Sequence, residues 1–255
     1  MRIIKGLIIA FSMYSRIPMP HFKWDEDDMR YMLCFFPWVG AVIGALVWAW
    51  KLLCDMRGVN LLCYTLIGMA VPVMITGGMH IDGYMDTMDA FRSYRPAEKK
   101  LEIMKDPHIG AFAVIMLALY GSIYAGAYSA ISDNKLVGIY AVSFVLARSL
   151  SGIAVVTFKP AKAEGMLFEC AGSSHKRAVL CSLIIQALAC TGIMIWLDPM
   201  AGITAVCVSL LSIFWYHHNC YKNIGGITGD TAGYFVLMCE EAVLVALMII
   251  NIWES

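Results

Sequence analysis

The sequence predicts an all-α, polytopic integral membrane protein, and three observations carry that prediction. Hydrophobic residues occupy 60% of the 255 positions and charged residues only 15%, with a mean hydropathy of +0.70. These values lie outside the usual range of soluble domains. Apolar stretches long enough to cross a bilayer recur along the chain, and basic residues are concentrated in alternate segments between them.

The apolar stretches define the predicted helices. A helix needs about 20 residues to cross roughly 30 Å of hydrocarbon. We therefore predict seven transmembrane helices, at about 31–53, 59–79, 109–131, 136–158, 178–197, 200–217 and 232–253. The shorter apolar run from Leu7 to Met13 is predicted to form an N-terminal interfacial or re-entrant helix. No internal repeat or linker interrupts the pattern, so residues 1–255 are predicted to form a single integral membrane domain.

The distribution of Lys and Arg predicts the orientation. With seven spans, 15 basic residues fall in segments on one side and 3 on the other, while Arg148 lies within the fourth span. Because short cytoplasmic loops carry the excess of basic residues, we expect a multi-pass protein of the cytoplasmic (inner) membrane with its N-terminus inside. The formal net charge is +0, so no basic field indicates nucleic acid, and the expected partner is the lipid bilayer. A homo-oligomer is compatible with the sequence.

A carboxylate-rich segment follows the second predicted span. In Thr76-Gly-Gly-Met-His-Ile-Asp-Gly-Tyr-Met-Asp-Thr-Met-Asp89, Asp82, Asp86 and Asp89 are spaced by four and then three residues, which places them on one helix face. Three like charges within two turns repel one another unless a cation lies between them, and hard oxygen ligands favour Mg²⁺ or Mn²⁺. The alternative is a solvated acidic helix face. His80 is either a base or a structural hydrogen-bonding group.

A second carboxylate segment begins with Gly225-Gly-Ile-Thr-Gly-Asp230 and reaches Glu240 and Glu241. Asp230 is predicted to lie on the same side of the membrane as the first segment. Glu240 and Glu241 fall within the seventh span, where ionisable residues are costly and usually functional. We predict a site role for Glu240, and Glu241 is a candidate structural partner of Arg148. The glycine-rich turn offers backbone N–H groups to phosphate oxygens, although such a turn alone is weak support.

Basic residues flank the first carboxylate segment, among them Arg92 and Lys105, and Arg148 is expected to face the bundle interior. A metal combined with arginine side chains favours a diphosphate substrate. The loop cations are equally explained by the ordinary excess of basic residues in cytoplasmic loops. For Arg148 the alternative is a charge pair that fixes helix packing.

Five segments, in order, resemble the cobalamin synthase (adenosylcobinamide-GDP ribazoletransferase) family. The resemblance runs from near the N-terminus into the last span, and the third and fifth segments are highly specific. Departures from the family pattern occur at Ala90, Tyr84-Met85, Pro107-His108 and Tyr234, and none removes a carboxylate. The segments are Arg16-Ile-Pro-Met-Pro20, Phe36-Pro-Trp-Val-Gly40, Thr76–Asp89, Leu101-Glu-Ile-Met-Lys-Asp-Pro-His-Ile-Gly110, and Gly225-Gly-Ile-Thr-Gly-Asp-Thr-Ala-Gly233 with Glu240.

The resemblance implies transfer of the phosphocobinamide group from adenosylcobinamide-GDP to α-ribazole, or to its 5′-phosphate, with release of GMP. The residue types suit that chemistry, since phosphoryl transfer needs positioning and charge neutralisation. The predicted roles are Mg²⁺ binding by Asp82, Asp86, Asp89 and Asp230, general-base catalysis by Glu240 or His80, and substrate binding by Arg92, Lys105, Arg148, Gly226 and Thr228.

Two other classes of protein compete with this interpretation. Another magnesium-dependent membrane diphosphate enzyme would be a prenyltransferase or a CDP-alcohol phosphotransferase. The spacing D-x-x-x-D-x-x-D after Gly-Gly-x-His differs from the D-G-x-x-A-R stretch of the second and from the Asn-Asp start of the first. A cation- or proton-coupled transporter would use Glu240, Glu241 and Arg148, but no inverted repeat supports it.

Overall fold

The structure, a computed structural model, describes residues 2–25, 27–162, 172 and 175–254. Helices make up most of these residues, and no strand occurs among them. A short 3₁₀ turn, Asp28–Tyr31, precedes the second helix. The helices are α1 (Arg2–Tyr14), α2 (Met32–Arg57), α3 (Leu61–Thr76), α4 (Met79–Arg92), α5 (Ala97–Ile103), α6 (Ala111–Ala130), α7 (Asn134–Thr157), α8 (Lys176–Leu197), α9 (Pro199–Ile224) and α10 (Gly229–Glu254).

The predicted spans correspond to these helices. Six of them, α2 and α6 to α10, are long and apolar enough to cross a membrane, and the bent pair of α3 and α4 makes a seventh if it is counted as one span. This confirms a polytopic all-α protein. The predicted ends lie within about four residues of the observed helix ends, except that α9 continues to Ile224 instead of 217.

The end of α3 is set by two glycines. Gly77 and Gly78 have φ angles of +67° and +84°, a left-handed conformation that glycine adopts without the clash of a Cβ atom. Helix α4 then leaves at 93° to α3. The apolar helix α3 is therefore followed, after a sharp bend, by the more polar helix α4.

The predicted N-terminal helix is present as α1, 13 residues long. It packs against α2 and buries Ile9, Ala10 and Phe11. The main-chain N–H of Arg16 donates to the carbonyl oxygen of Ile75 at 2.7 Å, so the segment after α1 is tied to the end of α3. The helix is confirmed, and its interfacial or re-entrant placement stays a prediction.

Helix α7 lies at the centre and is the most completely buried of the candidate spans. Helix α2 approaches it through Gly40 and Gly44. A Cβ at Gly40 would lie 2.7 Å from the carbonyl carbon of Phe144, and one at Gly44 would lie 2.9 Å from that of Ala141. Small residues four apart allow such close helix packing within a membrane, and dispersion contacts then stabilise the pair.

Helix α4 packs against α6 and α10. A Cβ at Gly83 would lie 2.9 Å from the Cα of Asp230, and the hydroxyl of Tyr84 donates to the carbonyl oxygen of Met116 at 3.2 Å. One face of α4 is therefore fixed on the bundle. The opposite face is free to carry polar side chains, and the candidate functional site lies on that face.

Candidate functional site

Four aspartates converge where α4 meets the start of α10. Asp82 is exposed and Asp86 and Asp89 are half-buried on the outward face of α4, while Asp230 lies in the first turn of α10 opposite Gly83. The charges of Asp82, Asp230 and Asp89 all repel that of Asp86, so the four carboxylates are close to one another. We call Asp82, Asp86, Asp89 and Asp230 the carboxylate cluster.

The carboxylate cluster is poorly compensated by protein cations. No ion pair among the described residues includes any of its members, and its one side-chain hydrogen bond is from the Thr228 hydroxyl to Asp230, at 3.5 Å. Its oxygen donors are of the kind that Mg²⁺ prefers. In the part of the chain that the structure describes, however, no three His, Cys, Asp or Glu side chains lie close enough together to form a metal site. Metal binding would therefore require these carboxylates to close on the ion.

Helix N-termini supply part of the missing positive charge. Asp230 lies in the first turn of α10, and the carboxylate of Asp89 lies against Gly110, the N-cap of α6, so closely that a Cβ at 110 would overlap it. The partial positive charge at the start of a helix favours anionic groups. Two helix termini thus face the carboxylate cluster, and Gly110 leaves the space that Asp89 occupies.

Thr228 caps α10. Its main-chain N–H donates to Oγ1 of Thr231 at 2.8 Å, and the N–H of Thr231 donates to Oγ1 of Thr228 at 3.2 Å. This reciprocal pattern satisfies two N–H groups that a helix start otherwise leaves unpaired. Thr228 therefore fixes the position of Asp230, and its predicted contact with substrate stays a prediction.

The glycine turn before α10 packs on the segment that follows α7. Gly226 is buried, and a Cβ there would lie 2.8 Å from the main-chain nitrogen of Ala161. Ile227 donates to the carbonyl oxygen of Lys159 at 3.0 Å and accepts from Ala161 at 2.8 Å. Close packing is enough to explain the glycine at 226. Its predicted binding of phosphate stays a prediction.

Basic side chains occur on α4, on α5 and in the segments that follow α5 and α7. Arg92 and Lys105 are exposed and form no ion pair among the described residues. Buried Lys100 donates to Oδ1 of Asn223 at 2.6 Å, which holds α5 against α9. Lys162 donates to the carbonyl oxygen of Leu101 at 3.0 Å. In the sequence Lys162 is only one of the basic residues between two predicted spans, because its place beside α5 is a tertiary contact.

A buried ion pair joins α7 to α10. Nη1 of Arg148 lies 2.6 Å from Oε1 of Glu240, and each side chain is only 1% exposed. The same nitrogen donates to the carbonyl oxygen of Phe144 at 2.9 Å. The expected pairing of Arg148 with Glu241 is wrong. Adjacent helical residues point about 100° apart, and Glu240 occupies the face of α10 that meets α7.

A cavity of about 200 Å³ lies beside this ion pair. Arg148, Glu240 and His80 contribute to its walls, together with apolar and aromatic residues of α3, α4, α6 and α10. His80 points away from Asp86 and Asp89. At about 100° per residue around the axis of α4, their side chains lie about 120° and 180° from that of His80. Neither candidate base, His80 or Glu240, forms a hydrogen bond or ion pair with the carboxylate cluster. Their catalytic role stays a prediction.

Residues 6–248 match the family model described as cobalamin-5-phosphate synthase. The chain belongs to that family. Similar proteins named adenosylcobinamide-GDP ribazoletransferase occur in Lachnoclostridium phytofermentans (40% identity, covering 94% of this chain and 92% of the relative), Clostridium botulinum strain Alaska E43 (32%, 93% and 94%) and Treponema denticola (31%, 98% and 99%). No solved structure matches the chain.

The match to the cobalamin-5-phosphate synthase model confirms the resemblance, and it includes the whole carboxylate cluster and the Arg148–Glu240 pair. Two departures from the family pattern are neighbours in space. The rings of Tyr84 and Tyr234 have centroids 5.8 Å apart. The two aromatic side chains therefore pack together between α4 and α10, and neither replaces a carboxylate.

Proposed function

We propose that this protein transfers the phosphocobinamide group of adenosylcobinamide-GDP to α-ribazole, or to α-ribazole 5′-phosphate, and releases GMP. Membership of the cobalamin-5-phosphate synthase family and the names of the relatives support this function. The observation that carries it structurally is the carboxylate cluster, whose like charges are gathered beside Lys162 and two helix N-termini. No observation favours a prenyltransferase, a CDP-alcohol phosphotransferase or a transporter.

The proposed reaction is a displacement at phosphorus. The ribose 3′-hydroxyl oxygen of the acceptor attacks the phosphorus that carries the cobinamide, and the bond to the bridging oxygen breaks. GMP leaves with that oxygen, and the hydroxyl proton passes to a base or to water. Catalysis of such a step depends mainly on positioning the two substrates and stabilising the negative charge.

The carboxylate cluster is the proposed Mg²⁺ site. Asp82, Asp86, Asp89 and Asp230 would hold the ion, which would neutralise charge on the diphosphate. The exposed Arg92 and Lys105 are proposed to contact phosphate oxygens. His80 keeps its proposed place as a candidate base. For Glu240 we favour pairing with Arg148, because its carboxylate neutralises that buried cation.

We also propose that the site faces the cytoplasm in the cell membrane. The excess of basic residues on the side that carries α5 supports this orientation. A cysteine introduced as Ala97→Cys, in a variant whose native cysteines have been replaced, should react with a membrane-impermeant reagent only after the cytoplasmic side is opened. Labelling from the external side of intact cells would overturn the orientation.

The function is tested with the purified protein in detergent or liposomes. Supplied with adenosylcobinamide-GDP, α-ribazole and Mg²⁺, it should form adenosylcobalamin and GMP in equal amounts, and chelation of the metal should stop the reaction. α-Ribazole 5′-phosphate, a prenyl diphosphate and a CDP-alcohol serve as alternative substrates. Turnover of either of the last two, with none of the corrinoid, would contradict the proposal.

A further inference from the structure

A backbone contact places the segment Lys159–Lys162 beside the carboxylate cluster. Ile227 and this segment exchange two main-chain hydrogen bonds, of 3.0 and 2.8 Å, and Asp230 follows Ile227 by three residues. The buried glycine at 226 permits the approach. The segment that follows α7 is thereby held beside the start of α10, although the two are far apart in the sequence.

The side chain of Lys162 is held by a single hydrogen bond. Its Nζ donates to the carbonyl oxygen of Leu101 on α5 at 3.0 Å, and the side chain is half-buried. An ammonium group has three N–H donors, so two remain free for another acceptor. The ammonium is therefore fixed in position without being saturated.

Lys162 and Lys105 form no contact with an anionic side chain among the described residues. Burial and the charge of Lys105 lower the pKa of Lys162, and the charge of Asp230 opposes this. Two cations are brought together at some electrostatic cost, beside carboxylates suited to a metal. The negative charge of a phosphate group would offset the repulsion between the two cations.

We propose that Lys162, acting together with Lys105, binds a phosphate oxygen of the substrate. Lys162 supplies a cation fixed by Leu101, and exposed Lys105 supplies a second one that is free to move. The inference rests on the proposed function, in which two phosphate sources meet at the site. These are the diphosphate of adenosylcobinamide-GDP and, where it is the acceptor, the 5′-phosphate of α-ribazole 5′-phosphate.

The test compares Lys162→Met with Lys159→Met, a matched control in the same segment whose side chain is exposed. Binding of GDP to each purified protein with Mg²⁺ is measured by calorimetry, without turnover. The KM values for adenosylcobinamide-GDP, α-ribazole and α-ribazole 5′-phosphate are then determined. Lys162→Met should weaken phosphate binding about 10-fold or more, because it removes a charge-assisted hydrogen bond, and Lys162→Arg should restore part of it.

The two phosphate sources give different results. If the diphosphate is bound, GDP affinity falls and the KM for adenosylcobinamide-GDP rises with either acceptor. If the acceptor phosphate is bound, only the KM for α-ribazole 5′-phosphate rises. Unchanged GDP affinity and KM values in Lys162→Met, or equal losses in Lys159→Met, would overturn the proposal.

Folding and function are checked separately. Should Lys162→Met lose thermal stability, Lys162→Gln, which retains an N–H donor for the Leu101 carbonyl, replaces it in the same measurements. Should the wild-type protein form no corrinoid product with either acceptor, the proposed function fails. The GDP affinity of Lys162→Met, compared with that of the wild type, would still show whether Lys162 binds a phosphate group.

Discussion

The carboxylate cluster and the Arg148–Glu240 pair differ in how their charges are compensated. The cluster gathers four like charges at the end of the bundle with no ion pair to a described residue, whereas the pair sets one cation against one anion within 2.6 Å, 1% exposed. Unpaired charges at a half-exposed site remain open to a ligand. Paired charges in the core neutralise each other.

The carboxylate cluster and the buried pair look alike in the sequence, because both consist of ionisable residues near or within predicted spans. Ionisable residues inside a span are usually functional, and this favours a site role for Glu240 and Arg148. In the structure they join α7 to α10 and line a cavity on the side of α4 away from the aspartates. We propose metal and phosphate chemistry only for the cluster, whereas the pair joins two helices of the bundle.

The largest expected change in stability comes from breaking the buried pair. Arg148→Met should lower the free energy of unfolding by about 3–5 kcal/mol, because it leaves the Glu240 carboxylate buried and uncompensated. The double variant Arg148→Met with Glu240→Met should recover most of that loss. Melting temperature in detergent measures both, and Glu241→Gln is the control on the adjacent position. A wild-type melting temperature with a raised KM for adenosylcobinamide-GDP would make Arg148 a substrate anchor.

Neutralising the carboxylate cluster should affect turnover instead of stability. Asp82→Asn, Asp86→Asn and Asp230→Asn should each reduce kcat by about 10²-fold or more, since each removes charge from the proposed metal site while keeping the side-chain shape. Melting temperatures should stay close to that of the wild type. Glu98→Gln, an exposed carboxylate on α5, is the control. Wild-type activity in two of the three variants would eliminate this ligand set.

The contact that positions the cluster can be tested at Gly83. Gly83→Ala places a methyl group 2.7 Å from the carbonyl oxygen of Asp230, so α4 and α10 must separate, at a cost of about 1–3 kcal/mol. Gly121→Ala on α6, where a Cβ meets nothing within 4 Å, should leave stability unchanged or raise it slightly. Thermal unfolding and activity are measured for both. Equal stability of the two variants would mean that the contact is not rigid.

The smallest expected effect concerns the cap of α10. Thr228→Ala should lower the free energy of unfolding by about 1 kcal/mol, and Thr228→Ser should retain most of the stability because its hydroxyl can still accept from Thr231. Stability and the KM for adenosylcobinamide-GDP are measured together. A raised KM without loss of stability would show that the hydroxyl binds substrate, as the sequence analysis proposed.

Much of the fold was predictable, because bilayer thickness fixes the length of an apolar helix. Each of the seven predicted stretches overlaps a helix of the structure, and α4 follows from the spacing of Asp82, Asp86 and Asp89. The bend at Gly77 was not predictable from hydropathy, which shows where an apolar run ends but not the direction of the next helix. The extension of α9 to Ile224 was missed for a related reason, since polar residues end an apolar window without ending a helix.

The sequence by itself determined the class of the protein, its family and the identity of the four aspartates, because these depend on composition, local spacing and motif. The tertiary structure decided which charges meet. It paired Arg148 with Glu240 and not Glu241, placed His80 on the inner face of α4, and brought Lys162 to Leu101. Such contacts join residues far apart in the chain, and their geometry is set by helix rotation and close packing, which no local pattern encodes.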